Sequence, residues 1–147
     1  MPTFSEISQK KLKTCDNGLQ LIFNEVIKDF DCRVVYGHRS SGEQMDLFRQ
    51  GRAYIKDEWT ITDRSRVVTY CDGFAKKSKH NYMPSQAIDI LPFPIDYKDI
   101  DRIYYFAGWV KCTAKRLNIP LIFGGDWDDD FKLKDQAFMD ICHYELK

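Results

Sequence analysis

Residues 86–123 read QAIDILPFPIDYKDIDRIYYFAGWVKCTAKRLNIPLIF, and this stretch decides the class of fold. It begins with a short β-type run over 86–91, which two prolines follow at once. Apolar residues then recur at helical spacing over 99–117, which predicts the longest helix of the chain. Residues 119–123 look like another strand. The stretch therefore predicts short strands separated by helices of uneven length.

The segments outside this stretch continue the same pattern. Ser41 and Gln44 have the spacing of a helical capping box, and they mark one helix start. In chain order we predict a short helix capped by Ser5, a helix over 19–30, a strand over 32–36, a helix over 41–50, a loop over 52–64, a strand over 67–71, a loop over 72–82 and a last strand over 141–146. This order lacks the regular alternation of a doubly wound sheet, so we expect an α+β fold with a small, mostly antiparallel sheet and helices packed around it.

Length and composition exclude several classes of protein. A chain of 147 residues is expected to form one domain over 1–147. Lys and Arg number 22 and so do Asp and Glu, and this zero net charge argues against a general nucleic-acid-binding protein. No apolar run reaches the ~18–20 residues of a membrane span, and the polar N-terminus lacks the apolar centre of a signal peptide. We expect a cytoplasmic chain, and nothing suggests more than a monomer.

Two of the three histidines have acidic residues nearby in the sequence, at spacings that are compatible with a metal site. His80 opens a stretch that ends at Asp89, while His143 follows Asp140 by three residues and precedes Glu145 by two. A hydrolytic zinc site needs three protein ligands and an open fourth position for water. The metal lowers the pKa of that water to about 7, and a separate carboxylate accepts the proton. His80, Asp89 and His143 would supply the ligands, which leaves Asp140 as the base.

The pattern around Asp89 supports this hypothesis without deciding it. On a strand, Asp89 points to the opposite face from Ile88 and Ile90. A carboxylate within an apolar strand needs a compensating partner, and a metal ion is one such partner. The alternative is two unrelated strands with incidental polar residues, and spacing alone leaves both interpretations open.

Several motifs together carry a resemblance to a known family. They are, in order, Gly37-His38-Arg39-Ser40 with Gln44, Ser78-Lys79-His80, Ala87-Ile88-Asp89, Phe123–Trp127 and Asp140–Glu145. This order resembles the zinc D-Ala-D-Ala carboxypeptidases and L-alanyl-D-glutamate endopeptidases, which include phage endolysins. The likeness runs from about residue 19 to 147. In one departure, two extra positions in 81–84 lengthen the loop between His80 and Asp89 and leave its path open.

The resemblance implies a hedgehog/D-Ala-D-Ala peptidase-like fold and a role for each matched residue. One zinc ion per chain is implied, with His80, Asp89 and His143 as ligands. Asp140 is implied as the catalytic base. Arg39 is implied to bind a substrate carbonyl or carboxylate and to stabilise the oxyanion, for which a permanently charged guanidinium is suited.

For the remaining candidates the sequence leaves alternatives open. Ser78 either hydrogen-bonds within the site or turns the chain, and Gln44 either belongs to the capping box or orients the site. Glu145 shares a strand face with His143 and is expected to support that ligand. Asp126–Asp130 alternates like a calcium loop but lacks the glycine and distal glutamate of an EF-hand. A solvated turn is favoured there, with cation binding left open.

The predicted function is hydrolysis of peptide bonds in the peptidoglycan stem. Asp, not Glu, stands three residues before the last ligand, and this looks more like the phage endopeptidases. We therefore expect L-alanyl-D-glutamate endopeptidase activity in a phage endolysin that waits in the host cytoplasm for a separate holin-type release partner. A D-Ala-D-Ala carboxypeptidase is the alternative within the family. A catalytically silent structural or binding module with the same fold is the alternative outside enzymes.

Overall fold

Four helices and six strands follow one another along the chain, and the computed structural model describes all 147 residues. The elements are α1 (Glu6–Leu12), α2 (Asn17–Asp29), β1 (Cys32–Tyr36), α3 (Ser41–Phe48), β2 (Arg52–Ile55), β3 (Glu58–Ile61), β4 (Ala87–Pro92), α4 (Ile100–Arg116), β5 (Leu121–Phe123) and β6 (His143–Leu146). Short 3₁₀ turns lie at Arg64–Arg66 and Lys79–Asn81. No helix has the length and apolar character that crossing a bilayer requires.

The main sheet has four strands in the order β1-β4-β6-β5, and every neighbouring pair is antiparallel. The α+β class predicted from the sequence is therefore confirmed. In the pairing of β4 with β6, Asp89 lies directly opposite His143 and Ile88 lies opposite Tyr144. Because side chains alternate between the two faces of a strand, this register sends the polar pair to one face and the apolar pair to the other.

The apolar face of the sheet forms the core with α2 and α4. Ile88, Ile90 and Tyr144 are fully buried there, with Phe23 of α2 and Phe106 of α4 beside them. The Tyr144 ring meets the Phe23 ring edge-on, with 5.6 Å between centroids. Full burial of one such side chain contributes about 1.5–3 kcal/mol. This core holds β4 and β6 in register, and through them the polar face.

Residues 52–64 were predicted as a loop, which is wrong, because β2 and β3 form an antiparallel hairpin there. The two turn residues, Lys56 and Asp57, both have positive φ, at 48° and 64°. Such turns match the twist of a hairpin but usually carry Asn-Gly or Asp-Gly. Lys-Asp is an unusual choice, so the sequence lacks the signal that marks a hairpin.

The predicted strand over 67–71 is also absent. This segment takes an irregular path that side chains hold in place, since the Gln44 amide donates to the Thr69 hydroxyl (3.1 Å) and to the Cys71 carbonyl (3.0 Å). The apolar residues of the segment suggested a strand, but no neighbouring strand is available to pair with it. The last strand begins at His143 instead of residue 141.

The capping box of α3 lies one residue earlier than predicted. Ser40, not Ser41, accepts a hydrogen bond from the Glu43 amide (3.1 Å), and the Glu43 carboxylate accepts one from the Ser40 amide (2.7 Å). Gln44 therefore takes no part in the cap, which corrects one of its two predicted tasks. Its side chain points inward and is fully buried.

Candidate active site

A cavity of about 430 Å³ opens over the polar face of β4 and β6. Seven of the eight side chains singled out from the sequence line it: Arg39, Ser78, His80, Asp89, Asp140, His143 and Glu145. The eighth, Gln44, contacts Arg39 from outside the cavity lining. The fold thus gathers residues that are up to about a hundred positions apart in the chain.

Three buried atoms, each able to coordinate a metal ion, form a nearly equilateral triangle on the cavity wall. Nε2 of His80 lies 3.1 Å from Oδ1 of Asp89 and 3.2 Å from Nδ1 of His143. The third side, from Nδ1 of His143 to Oδ1 of Asp89, is 3.1 Å. Tetrahedral zinc with bonds of ~2.0–2.1 Å places its ligand atoms about 3.3 Å apart. The spacing and chemistry of these three atoms therefore suit a zinc ion.

Each imidazole ring is held by a partner on its other nitrogen. Nδ1 of His80 donates to the Gly37 carbonyl at 2.7 Å, which leaves Nε2 to face Asp89. Nε2 of His143 donates to the Glu145 carboxylate at 2.9 Å, which leaves Nδ1 to face the same oxygen. Partners of this kind fix the tautomer and the orientation of metal-binding histidines. Both rings are thus preset to present a lone pair to a cation.

The charges in the cluster also favour a cation. Burial acts to lower the pKa of His143, but hydrogen bonds to Asp89 and Glu145 outweigh it and raise the pKa to about 9. Burial acts to raise the pKa of Asp89, but hydrogen bonds from His143 and His80 hold it below its usual range. The side chains alone therefore retain a proton among them, and a bound divalent ion would take its place.

Arg39 lies behind Asp89, with only 8% of its surface exposed. Nη2 lies 3.5 Å from Oδ2 of Asp89, the oxygen outside the triangle, and Nη1 donates to the Gln44 carbonyl oxygen at 3.0 Å. Gln44 therefore orients Arg39. Nε of Arg39 is buried without a hydrogen-bond partner in the protein. A buried donor of this kind costs free energy unless it is paired.

A short 3₁₀ turn carries His80 into the cluster, and Ser78 caps that turn. Oγ of Ser78 accepts from the His80 amide at 3.3 Å, and the Ser78 amide donates to Asn81 at 2.8 Å. The Asn81 amide group also donates to the Arg39 carbonyl at 2.9 Å. Ser78 thus caps the turn and also lines the cavity. The lengthened loop over 81–84 begins from a position tied to Arg39.

Asp140 is placed by backbone contacts just before β6. Its amide donates to the Gly124 carbonyl at 2.8 Å, and its carbonyl accepts from the His143 amide at 3.1 Å. The side chain lines the cavity and is half-buried. The neighbouring Cys142 thiol lies 3.2 Å from Oδ1 of Asp140. Burial raises the pKa of Cys142 well above its usual range, so the thiol stays protonated and is a poor nucleophile.

Aromatic side chains that the sequence analysis did not assign to the site form one wall of the cavity. The Trp127 ring lies 5.4 Å from the His143 ring, and its Nε1 donates to the Phe138 carbonyl at 2.8 Å. Tyr70 meets the Phe138 ring edge-on, at 6.4 Å. Trp127 belongs to the Phe123–Trp127 motif, and this motif is the sequence signal that could have assigned it to the site. The position of its side chain depends on an irregular loop that has no periodic sequence pattern.

The acidic turn lies outside this cavity. Asp126, Asp128 and Asp130 each offer an oxygen within 4.8 Å of the others. The Asp126 carboxylate accepts from the amides of Asp130 and Phe131, both at 3.1 Å, and Asp128 accepts from Gln136 at 2.9 Å. These hydrogen bonds hold the loop together.

A larger cavity, of about 740 Å³, lies between α4, β5 and the loop that follows them. It contains none of the predicted catalytic residues. Two of its three lysines, Lys111 and Lys147, form ion pairs with Asp129. The chemistry therefore belongs to the smaller cavity, where the histidines and carboxylates converge.

Gly124 is expected to tolerate no side chain. A Cβ atom there would lie 2.3 Å from the Asp140 carbonyl oxygen and 3.1 Å from Cβ of His143. Gly124→Ala should displace both residues, lower stability by about 1–3 kcal/mol and reduce activity. Gly108→Ala is the matched control, because a Cβ there meets nothing within 4 Å and should add about 0.8–1.0 kcal/mol of helix propensity. Urea unfolding of both variants measures this, and equal stability of the two would contradict it.

An open cavity with two histidines and an aspartate on its wall and a further carboxylate at its side is typical of metal-dependent hydrolases. The comparisons with known proteins agree with this class. The family model of the phage L-alanyl-D-glutamate peptidases matches residues 2–147, and the chain belongs to this family. The resemblance seen in the sequence motifs, and with it the assignment as a peptidase of peptidoglycan, is thereby confirmed.

One relative and one solved structure show how far the likeness extends. The L-alanyl-D-glutamate peptidase of Escherichia phage T5 is 25% identical over 130 residues, which cover 85% of this chain and 81% of the relative. The crystal structure of the L-Ala D-Glu endopeptidase ChiX from Serratia marcescens superposes with a TM-score of 0.68 at 17% identity. That match covers 99% of this chain and 90% of ChiX, and it supports the fold.

Proposed function

We propose that this chain is a zinc-dependent endopeptidase that hydrolyses the bond between L-Ala and D-Glu in the peptidoglycan stem peptide. The observation that carries the proposal is the triangle of Nε2 of His80, Oδ1 of Asp89 and Nδ1 of His143. One zinc ion per chain held there would act as a Lewis acid and lower the pKa of water to about 7. The family and its named relatives support the choice of bond.

Asp140 is the general base in this proposal. Its carboxylate takes one proton as water attacks the scissile carbonyl carbon. It then passes the proton to the nitrogen of D-Glu as the carbon–nitrogen bond breaks. The products are a free carboxylate on L-Ala and a free amine on D-Glu. The half-buried position of Asp140 beside the cluster supports this assignment.

Arg39 binds the oxygen of the scissile carbonyl as negative charge develops on it. Arg39 lines the cavity, and the fixed charge of its guanidinium stabilises the oxyanion in a site partly shielded from water. Gln44 and Asp89 hold the group in place through Nη1 and Nη2. Glu145 holds the His143 ring so that Nδ1 would be free to bind a metal ion, and Ser78 caps the turn that carries His80.

The biological setting forms part of the same proposal. A single domain over 1–147 would act as a monomer on the peptidoglycan stem peptide. Membership of a phage family supports a role as an endolysin in host lysis. The enzyme would accumulate in the host cytoplasm, and a separate holin-type partner would release it to the cell wall.

Digestion of purified muropeptides followed by mass spectrometry tests the choice of bond. The expected products are the disaccharide carrying L-Ala alone and a free peptide that begins with D-Glu. Loss of a terminal D-Ala with the L-Ala–D-Glu bond intact would instead establish a D-Ala-D-Ala carboxypeptidase. No cleavage by zinc-loaded protein would indicate a catalytically silent module. The same digestion after chelation of metal serves as the control.

A further inference from the structure

We propose that Cys142 is a positioning residue, whose thiol holds the Asp140 carboxylate in the orientation that proton transfer requires. The inference rests on the proposed function, because it takes Asp140 as the general base. Sγ of Cys142 lies 3.2 Å from Oδ1 of Asp140, within hydrogen-bond distance for a thiol donor. In this role the thiol supports catalysis by orienting Asp140 and does not itself react.

The contact is the only side-chain restraint on the carboxylate. No other hydrogen bond or ion pair reaches either carboxylate oxygen of Asp140, whose other contacts run through its backbone. Cys142 itself is anchored to the main sheet, because its carbonyl accepts from the Ile90 amide of β4 at 2.9 Å. Cys142, which the sheet holds in place, therefore restrains Asp140, which lies in the loop before β6.

The geometry suits a base that must present one oxygen to water. An aspartate side chain has two free torsion angles, and a base that swings away from the attacking water loses the benefit of proximity. The hydrogen bond from the Cys142 thiol to Oδ1 limits both torsion angles of Asp140 and leaves Oδ2 free to accept the proton. A thiol is a weak donor, so it orients the carboxylate without competing strongly for its lone pairs.

Substitution at this position separates positioning from packing. Cys142→Ala and Cys142→Val both remove the donor, one with a smaller and the other with a larger side chain. Each should lower kcat about three- to tenfold, the equivalent of one modest hydrogen bond, with KM, zinc content and melting temperature nearly unchanged. Cys142→Ser, which keeps a donor, should restore kcat to within about twofold. Cys112→Ala is the matched control, because Cys112 is exposed on α4 and should leave kcat unchanged.

A double-mutant cycle shows whether Cys142 acts through Asp140. In an Asp140→Asn background, Cys142→Ala should cause no further loss of the residual activity. The inference is overturned if kcat of Cys142→Ala and Cys142→Val equals that of the wild type, or if the two losses multiply in the double mutant. The proposed base fails separately, and the inference with it, if Asp140→Asn alone retains near-normal turnover.

Discussion

Asp140→Asn is expected to lower kcat about 10²–10⁴-fold, the usual contribution of a general base. The amide has nearly the same shape as the carboxylate but cannot accept a proton from water. Asp140 is not part of the donor triangle, so zinc content should stay near one ion per chain. Its backbone hydrogen bonds to Gly124 and His143 do not involve the side chain, so the fold should persist.

The measurement combines turnover on muropeptides with elemental analysis for zinc and a melting curve. Asp101→Asn is the matched control, because Asp101 is an exposed residue near the start of α4 and should leave turnover and zinc content unchanged. Near-normal turnover of Asp140→Asn would show that Asp140 is structural. Glu145, the remaining carboxylate beside His143, would then be the candidate base.

Replacing any one of the three proposed zinc ligands is expected to weaken metal binding strongly. His80→Ala, Asp89→Ala and His143→Ala should each lose bound zinc, because two remaining donors hold zinc far more weakly than three. The His80→Ala, His143→Ala double variant should contain none, and muropeptide cleavage should fall to background. Loss of the ion should also lower the melting temperature, since a ligand that binds only the native state stabilises it.

Elemental analysis after dialysis against trace zinc measures this effect. His38→Ala is the matched control, because His38 is the third histidine of the chain and lies outside the cavity. It should retain a full complement of zinc. Full occupancy in the double variant would place the metal elsewhere and remove the basis of the proposed function.

The local patterns of the sequence predicted much of the fold. Apolar residues at helical spacing predicted α2 and α4, and the strand β1 was predicted with its observed bounds. The hairpin of β2 and β3 was missed, because its Lys56-Asp57 turn lacks the usual glycine. The strand over 67–71 was predicted wrongly, because its path depends on hydrogen bonds from Gln44, which lies 25 or more positions away.

The sequence alone determined the types of residue that meet in the candidate site. Alternation along β4 separates Asp89 from Ile88 and Ile90 whatever the rest of the fold does, since the period of a strand is a local property. The order of the motifs identified the family and named the side chains that line the cavity. None of this depended on knowing which segments touch.

Only the tertiary structure decided how these side chains contact one another. His143 and Asp89 are 54 positions apart, and their contact follows from the register between β4 and β6. Burial of Ile88 opposite Tyr144 on the other face sets that register, because a slip of one residue would expose the core face of β6. The contacts of Arg39 with Asp89 and of Gln44 with Cys71 join segments 50 and 27 positions apart, and each has one partner in an irregular loop. Such contacts have no periodic signal, so their geometry emerges only when the core has brought the segments together.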